Sequence, residues 1–369
     1  MEAHTDVAEG KKINEKTTVA AVLVTGTVLA AGIFAKCDVF EEKAIADVRT
    51  EDEAEKSEKE DSSSRIDTSA PVLAGSRIAV VSKSVSGEFW DMVHKGMEDA
   101  VKDLNTAYGF KSDDQIKMTF EGPGDELNVE EQVNTLDAVI AENPSVLCFS
   151  ASDMNSCQAQ LETATENDIP VIIFDSNVSE NELVTGFYGT DNERVGEIAG
   201  EKIAEALGEK GSILIFSAQE KTESSQKRVS GFKTAIAEYT DMEVVQEVYA
   251  DQVEDMSAAM QEALAQNPDT AGVYCTNADV SELYLALDQT EEDLPVMIGV
   301  DATTKQQQAV KDGREYGIVS QDPYEMGYQT IIGGSSKVTD PENREARGNC
   351  FLEPAWIDAS NLEDPEYSS

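Results

Sequence analysis

The sequence predicts an α/β protein built from two doubly wound lobes, each a parallel sheet with helices on both faces. Short apolar runs alternate with segments of helical periodicity, which is the pattern of repeated βαβ units. The alternation pauses at 183–189 and then restarts as a second set of similar plan. In both sets an Asn-Pro pair ends a helix just before a strand, at Asn143-Pro144 and Asn267-Pro268.

The first set opens with an apolar run that predicts a strand. The segment after it places Phe89, Val93 and Met97 on one face at three-to-four spacing, which predicts an amphipathic helix. The remaining elements alternate in the same way up to the pause. The predicted strands are 77–82, 116–120, 145–149 and 171–174, and the next two helices are 129–141 and 156–167.

The second set has the same alternation, and two further elements follow it. A helix at 323–333 and a strand near 356–359 are too short to form a third domain, so the chain must return to the existing lobes. Several crossings between two lobes form a hinge. The predicted helices of the second set are 192–207, 224–238, 257–266, 280–287 and 305–311, and its strands are 212–217, 243–249, 271–275, 296–300 and 316–320.

The predicted domain organisation has five parts. They are a signal peptide or membrane anchor at 1–36, a disordered acidic linker at 37–75, a first lobe at 76–189 plus 322–350, a second lobe at 190–321 plus 351–361, and a tail at 362–369.

Residues 19–35 form an uncharged apolar run with basic residues before it and acidic residues after it. The run is short for a membrane-spanning helix and slightly long for a signal-peptide core. Its flanking charges place the bulk of the chain outside the membrane. Cys37 suggests a lipid-modified cysteine, but Lys36 replaces the small residue expected before it. An uncleaved anchor is the alternative, and either route predicts a protein tethered to the outer face of the membrane.

Composition excludes some classes of function. Net charge is −45, from 73 acidic and 28 basic residues, and such a field repels nucleic acid and anionic lipid. The two histidines and five cysteines show no spacing that is typical of a metal site. We therefore expect no nucleic-acid partner, no metal and no cofactor.

Five polar residues stand at the ends of predicted strands, spread over both sets. In open α/β sheets, ligands bind just outside the carboxyl ends of the strands. We therefore expect these side chains to form hydrogen bonds around one small polar molecule. They are Asp153, Asp175, Asn277, Asp301 and Gln321.

Seven short motifs occur in order along the predicted lobes. They are GEFW at 87–90, IPVIIFD at 169–175, GTDN at 189–192, RVSGF at 228–232, TNAD at 276–279, IGVD at 298–301 and SQDP at 320–323. With these motifs, residues 77–361 resemble the type I sugar-binding proteins of ABC importers, a class typified by ribose-binding protein.

The resemblance implies roles for individual residues. Phe89 and Trp90 match the aromatic pair that sandwiches the pyranose or furanose ring, because the C–H faces of sugars are apolar. Four polar residues match hydroxyl-binding positions, since carboxylates and amides bond well to hydroxyl edges. These four are Asp175, Asn277, Asp301 and Gln321.

The chain departs from the ribose binder at three positions. Ser176 and Gln226 stand where that protein has arginine, and Ser150 stands where it has asparagine. Loss of both guanidinium groups argues against ribose itself. Arg228 is a further candidate to reach the cleft, although the neighbouring Gly231 indicates a structural helix position.

Several of these residues have an alternative structural role. Strand-end aspartate commonly caps the following helix, and for Asp153 capping and ligand contact are equally supported. Asp175 has no immediate helix after it, which favours the ligand role. Asn277 and Asp301 precede helices, and their match to the family positions favours the ligand role there too.

The sequence therefore predicts a monomeric solute-binding protein that closes its lobes on a monosaccharide or polyol and delivers it to an ABC permease. One alternative is a ligand-sensing receptor subunit that acts on a separate signalling partner. Another is a glycoside-acting enzyme using two strand-end carboxylates. No nucleophile–base pair or phosphate-binding loop accompanies those carboxylates, so we expect no enzymatic activity.

Overall fold

The computed structural model describes residues 36–37, 65–69, 71–179, 181–288, 294–339 and 348–364. Its strands are β1 (Lys36–Cys37), β2 (Arg77–Val81), β3 (Lys117–Glu121), β4 (Val146–Phe149), β5 (Val171–Phe174), β6 (Gly186–Thr190), β7 (Lys210–Ser217), β8 (Asp241–Tyr249), β9 (Thr270–Cys275), β10 (Val296–Val300), β11 (Gly317–Ser320), β12 (Gly348–Leu352) and β13 (Ala355–Asp358). Its helices are α1 (Glu88–Ala107), α2 (Val129–Ala141), α3 (Gln158–Glu166), α4 (Asn192–Leu207), α5 (Glu223–Ile236), α6 (Met256–Gln266), α7 (Ala278–Leu285), α8 (Thr304–Lys311) and α9 (Pro323–Thr339).

These elements form two largely parallel sheets, one in each lobe. The first has the order β1-β12-β6-β5-β4-β2-β3 and the second the order β13-β11-β10-β9-β7-β8. The described strand pairs are parallel except β1 with β12 and β13 with β11, which are antiparallel edge pairs. The predicted fold of two doubly wound α/β lobes is confirmed.

Both faces of each sheet are buried. In β2, Ile78 and Val80 pack into one apolar cluster while Ala79 and Val81 pack into another on the opposite face. Successive residues of a strand point to opposite faces, so a strand covered on both sides must be apolar throughout. This is why the strands appear in the sequence as continuous apolar runs.

The chain passes between the sheets at three places within the described residues. It leaves β6 for α4, returns from β11 to α9, and leaves β12 for β13. The last passage lies at Glu353-Pro354, because β12 continues to Leu352. Gln321 lies on the second passage, between β11 and α9.

Besides the two-residue β1, two strands of the lobes were absent from the sequence-based prediction. β6 lies within and just after the segment interpreted as a pause, and its glycines, Gly186 and Gly189, weaken the strand signal. β12 begins with glycine and pairs in parallel with β6, which lies between β12 and β5 in the sheet. Hydrogen bonds between segments that are distant in the sequence stabilise these strands, whose glycines lower the local strand propensity.

Several sequence-based predictions fall on residues outside the described part. The apolar run at 19–35, most of the acidic linker, the end of the tail and the side chain of Cys37 lie there. The backbone of Cys37 pairs with Cys350 in register with β12. Among the helices of the described residues, none combines the length and hydropathy needed to cross a bilayer.

Helices α4 and α5 cross at glycines that bring their backbones into contact. A Cβ atom on Gly196 would lie 2.1 Å from the carbonyl oxygen of Arg228, and one on Gly231 would lie 2.1 Å from that of Glu193. Helices α1 and α9 meet in the same way at Gly96, where a Cβ would lie 2.0 Å from backbone. No real Cβ fits at such distances, so these crossings require glycine.

Replacing Gly196 with alanine should therefore force α4 and α5 apart. We expect Gly196→Ala to lower the free energy of unfolding by about 1–3 kcal/mol, measured by urea denaturation. Gly124→Ala is the matched control, since a Cβ there meets nothing within 4 Å. Equal stability of the two variants would contradict the close crossing.

Glu315 is a buried carboxyl in the second lobe, with an exposed fraction of 1%. Burial raises its pKa to about 8, although the amide of Gln306 and the backbone N–H of Gly299 donate to it. Its Oε2 atom has no partner among the described residues. The folded protein therefore retains a proton on Glu315 that the unfolded chain releases near its ordinary pKa.

This proton makes stability depend on pH. The unfolded chain binds fewer protons between the ordinary pKa of 4.5 and the raised value of about 8, so stability should fall as pH rises through that window. Glu315→Gln removes the titration, so the melting temperature of the variant should fall less than that of the wild type. The exposed control Glu166→Gln should keep the wild-type pH dependence. Parallel curves for wild type and Glu315→Gln would refute the raised pKa.

Candidate functional site

The carboxyl ends of both sheets open onto a cavity between the lobes. Its volume is about 260 Å³, close to the lower end of the ~300–1,000 Å³ that small-molecule sites occupy. Polar side chains of both lobes line it. They include Lys83, Glu88, Phe89, Trp90, Glu126 and Asp175 from the first lobe, and Gln219, Thr222, Ser224, Arg228, Asn277, Asp279, Glu282, Asp301, Thr303, Lys305 and Gln321 from the rest of the chain.

An ion pair between Lys83 and Asp175 forms the first-lobe wall. The Lys83 Nζ atom lies 2.9 Å from Asp175 Oδ2 and 3.8 Å from Glu126 Oε2, and it donates to the Ser176 hydroxyl at 3.3 Å. Burial would lower the pKa of Lys83, but Asp175 and Glu126 outweigh it and the pKa is raised. The Ser150 hydroxyl donates to Asp175 Oδ2 at 2.9 Å. Asp175 is therefore an acceptor held in place by two neighbouring donors.

The two predicted aromatic residues stand side by side at the start of α1. The Trp90 indole donates to Glu126 Oε1 at 2.7 Å, and Lys83 lies 5.7 Å from its ring. The rings of Phe89 and Trp90 are nearly perpendicular, with centroids 5.1 Å apart. No sugar ring fits between two rings in direct contact, so the expectation that Phe89 and Trp90 sandwich the ring is wrong for this arrangement. Together they form one aromatic wall of the cavity.

Asp301 organises the second-lobe wall. Its Oδ2 atom accepts from the backbone N–H of Ala278 at 2.8 Å, and its Oδ1 atom accepts from Gln321 Nε2 at 2.5 Å. Asn277 caps α7, because its Oδ1 accepts from the backbone N–H of Val280 at 3.1 Å. The Gln321 Oε1 atom is buried and has no partner among the described residues. Asn277 thus combines a capping role with a place in the cavity lining.

Both strand-end aspartates have left-handed backbone conformations. The φ angle is 58° at Asp175 and 95° at Asp301. Aspartate tolerates positive φ better than most residues, yet the conformation still costs free energy, and such residues cluster at ligand sites. In each lobe, therefore, a left-handed backbone conformation at the strand end directs the carboxylate of an aspartate into the cavity.

Arg228 reaches the cavity from α5. Its Nε atom donates to Asn192 Oδ1 at 2.9 Å and one terminal nitrogen donates to the carbonyl of Thr276 at 2.8 Å. It is 4% exposed. The sequence offered it as a secondary candidate, and the structure places it in the lining.

Hydrogen bonds join the two lobes around the cavity. Glu88 at the start of α1 accepts from the backbone N–H of Thr304 at 2.8 Å and from its hydroxyl at 3.0 Å. The Ser176 hydroxyl donates to that of Ser224 at 2.7 Å. Further bonds run from Thr222 Oγ1 to the carbonyl of Ser152 at 2.5 Å and from Gln219 Nε2 to the carbonyl of Glu126 at 2.6 Å. A ligand in the cavity would therefore be enclosed by both lobes.

The predicted site residues are only partly brought together. The cavity is lined by Phe89, Trp90, Asp175, Asn277, Asp301 and Gln321. Ser150 and Ser176 lie behind it and hold Asp175 and Lys83. Asp153 and Gln226 do not line it: the Asp153 carboxylate accepts from the backbone N–H of Asn155 at 2.8 Å, and the exposed Gln226 amide donates to the carbonyl of Glu220 at 2.8 Å.

Several lining residues carry charges that the sequence-based prediction did not include. Lys83 lies two residues beyond β2 and Asp279 lies two beyond Asn277, so strand-end position is a signal for both. Partial burial in the cleft raises the pKa of Asp279 to about 6, and the nearby Glu126 and Asp301 add to the effect. No such signal marks Glu126, because it lies in the loop before α2 and not directly after a strand. Within the described residues, no histidine, cysteine or acidic side chains group as metal ligands.

Comparison with known proteins places this geometry in a family. The family described as "Periplasmic binding protein domain" matches residues 78–331. The ribose import binding protein of Escherichia coli is 23% identical over 265 residues, which cover 71% of this chain and 85% of the relative.

Solved structures of ABC transporter solute-binding proteins are also similar to this chain. An ABC transporter solute-binding protein from Agrobacterium vitis, bound with α-D-tagatopyranose, has a TM-score of 0.70 at 25% identity, covering 79% of this chain and 97% of that chain. Another from the same organism, with bound D-fucose, has a TM-score of 0.71 at 25% identity, covering 79% and 98%. The resemblance drawn from the sequence motifs is confirmed, and the chain belongs to the periplasmic binding protein family.

Proposed function

We propose that this chain is an extracytoplasmic solute-binding protein that captures a monosaccharide or related polyol between its lobes and delivers it to an ABC import permease. The observation that carries the proposal is the composition of the interlobe cavity. One wall is aromatic, at Phe89 and Trp90, and the others present carboxylate and amide groups. Sugars have apolar C–H faces and hydroxyl edges, so this combination matches both parts of the ligand.

The connection between the lobes supports capture by closure. The chain passes between the sheets three times within the described residues, and hydrogen bonds such as Thr304 to Glu88 form only when the lobes meet. A ligand that contacts both lobes shifts the open–closed equilibrium by its preference for the closed state. Closure would present a different surface to a permease than the open form.

The relatives support a sugar, and the residues argue against ribose. The named relative binds ribose and the two solved neighbours hold tagatose and fucose. Ser176 and Gln226 stand where the resemblance implies the two arginines of the ribose binder, and Gln226 does not line the cavity. Here the buried cations are Lys83 and Arg228, which stand at other positions of the chain. We infer that the specificity differs from that of the ribose binder.

Binding rather than catalysis is the role we assign. The relatives are named as binding proteins, and Asp175 is engaged by an ion pair with Lys83 and a hydrogen bond from Ser150. The family name supports an extracytoplasmic location. A membrane tether through residues 19–35 or Cys37, and a monomeric state, complete the proposal.

A panel of monosaccharides and polyols should reveal the ligand class. A ligand that bridges two lobes stabilises the folded chain by an amount that grows with its concentration. We expect at least one compound to raise the melting temperature in a concentration-dependent manner. A flat response across the whole panel would contradict a sugar-binding role.

The bound sugar should depend on Asp301 and not on Asp153. Asp301→Asn preserves the left-handed backbone, which asparagine tolerates, and removes the charge that strengthens hydroxyl hydrogen bonds. We expect about a tenfold or greater loss of affinity by isothermal titration calorimetry. Asp153→Asn should bind like the wild type, because its carboxylate is engaged with Asn155 outside the cavity. Equal losses in the two variants would contradict the proposed site.

A further inference from the structure

The cavity has an excess of negative charge. Six carboxylates line it against three cations. Lys83 is matched by Asp175 and Glu126, and Lys305 lies 2.5 Å from Glu282. Asp279 and Asp301 have no cation within ion-pair distance in the described part of the chain. Glu88 also has no cation in that range, but Thr304 donates two hydrogen bonds to it, while Arg228 is bonded to Asn192 and the Thr276 carbonyl and not to a carboxylate. The two remaining unpaired carboxylates lie together at the start of α7.

A second observation at the same end of the cavity points to a ligand. Gln321 is 7% exposed, and its Nε2 atom is committed to Asp301 Oδ1 at 2.5 Å. This contact fixes the amide orientation, because the reverse would set two oxygens against each other. The Oε1 atom is left buried without a donor among the described residues. A buried unpaired acceptor is costly and calls for a hydrogen-bond donor.

Asp279 adds a further unused acceptor to this corner. Its carboxylate has no hydrogen bond or ion pair within the described part of the chain, and it lies in the first turn of α7, next to Ala278, whose backbone N–H donates to Asp301. The pKa of Asp279 is raised to about 6 by partial burial, then by the charges of Glu126, Asp301 and Glu282. A cation in the corner would relieve that repulsion. Asp279, Asp301 and Gln321 together form the acidic corner of the cavity.

The donor required here differs from a sugar hydroxyl. A hydroxyl donates one hydrogen and carries no charge, whereas a primary ammonium donates three and carries the charge that the acidic corner lacks. A phosphate or carboxylate on the ligand would be repelled by the same residues.

We propose that the natural ligand carries a protonated primary amine, as an amino sugar or amino polyol does, and that its ammonium group lies in the acidic corner. The proposal rests on the function proposed above and specifies the ligand class of the same cavity. The aromatic wall and Asp175 then contact the remainder of the ligand.

Matched ligand pairs test this directly. Titration calorimetry compares glucosamine with glucose, galactosamine with galactose, mannosamine with mannose, and glucamine with sorbitol. We expect the amine of at least one pair to bind about tenfold or more tightly than its hydroxyl parent. Its affinity should also fall with added salt, because part of the attraction is electrostatic.

A substitution separates the acidic corner from general effects of charge. Asp279→Asn should bring the amine-to-hydroxyl affinity ratio down toward one, whereas the exposed control Asp269→Asn should leave the ratio at its wild-type value. Glu282→Gln provides a second variant if Asp279→Asn fails to fold, and it should lower the ratio to a smaller extent.

The outcomes distinguish the two proposals. Hydroxyl parents that bind as tightly as their amines in every pair would overturn the amine proposal and leave the sugar-binding function standing. An unchanged ratio in Asp279→Asn would also overturn it. Absence of binding by every member of every pair would contradict the proposed function itself, and the amine proposal would fall with it.

Discussion

The buried ion pair between Lys83 and Asp175 is the interaction on which the site depends. Two charges with little access to water are stable only when each is closely paired and bonded, and removing one partner is strongly destabilising. The pair is joined to Glu126, which holds the Trp90 indole, and to Ser176, which bonds Ser224 of the opposite lobe. One ammonium group thus fixes an acceptor, orients part of the aromatic wall and supports a contact between the lobes.

The two lobes position a carboxylate at the cavity in similar ways. Each ends a buried parallel strand with an aspartate in the left-handed region, and each holds that carboxylate with neighbouring donors. Each also packs two helices together at glycines. In the second lobe that crossing joins α4 to α5, which carry Asn192 and Arg228. Backbone contact between the helices therefore sets the position of a buried cation in the cavity.

Sequence periodicity predicted most of the fold because buried parallel strands and amphipathic helices have distinct local patterns. It missed β6 and β12, since both contain glycine and are stabilised by pairing with each other across a long stretch of chain. Strand-end position identified Asp175, Asp301 and Gln321, which line the cavity, but also Asp153, which forms a local turn. Glu126 lies in a loop and Glu88 lies at the start of α1. Only the tertiary packing of the chain brings these two residues to the cavity.

The central claim is that a ligand is enclosed between the two lobes at the carboxyl ends of both sheets. A crystal structure of the protein grown with the compound that gives the largest thermal shift tests it most directly. We expect ligand density in the interlobe cavity, against Phe89 or Trp90 and within hydrogen-bond distance of Asp175 and Asp301. Density at another surface, or a ligand that contacts one lobe only, would contradict it.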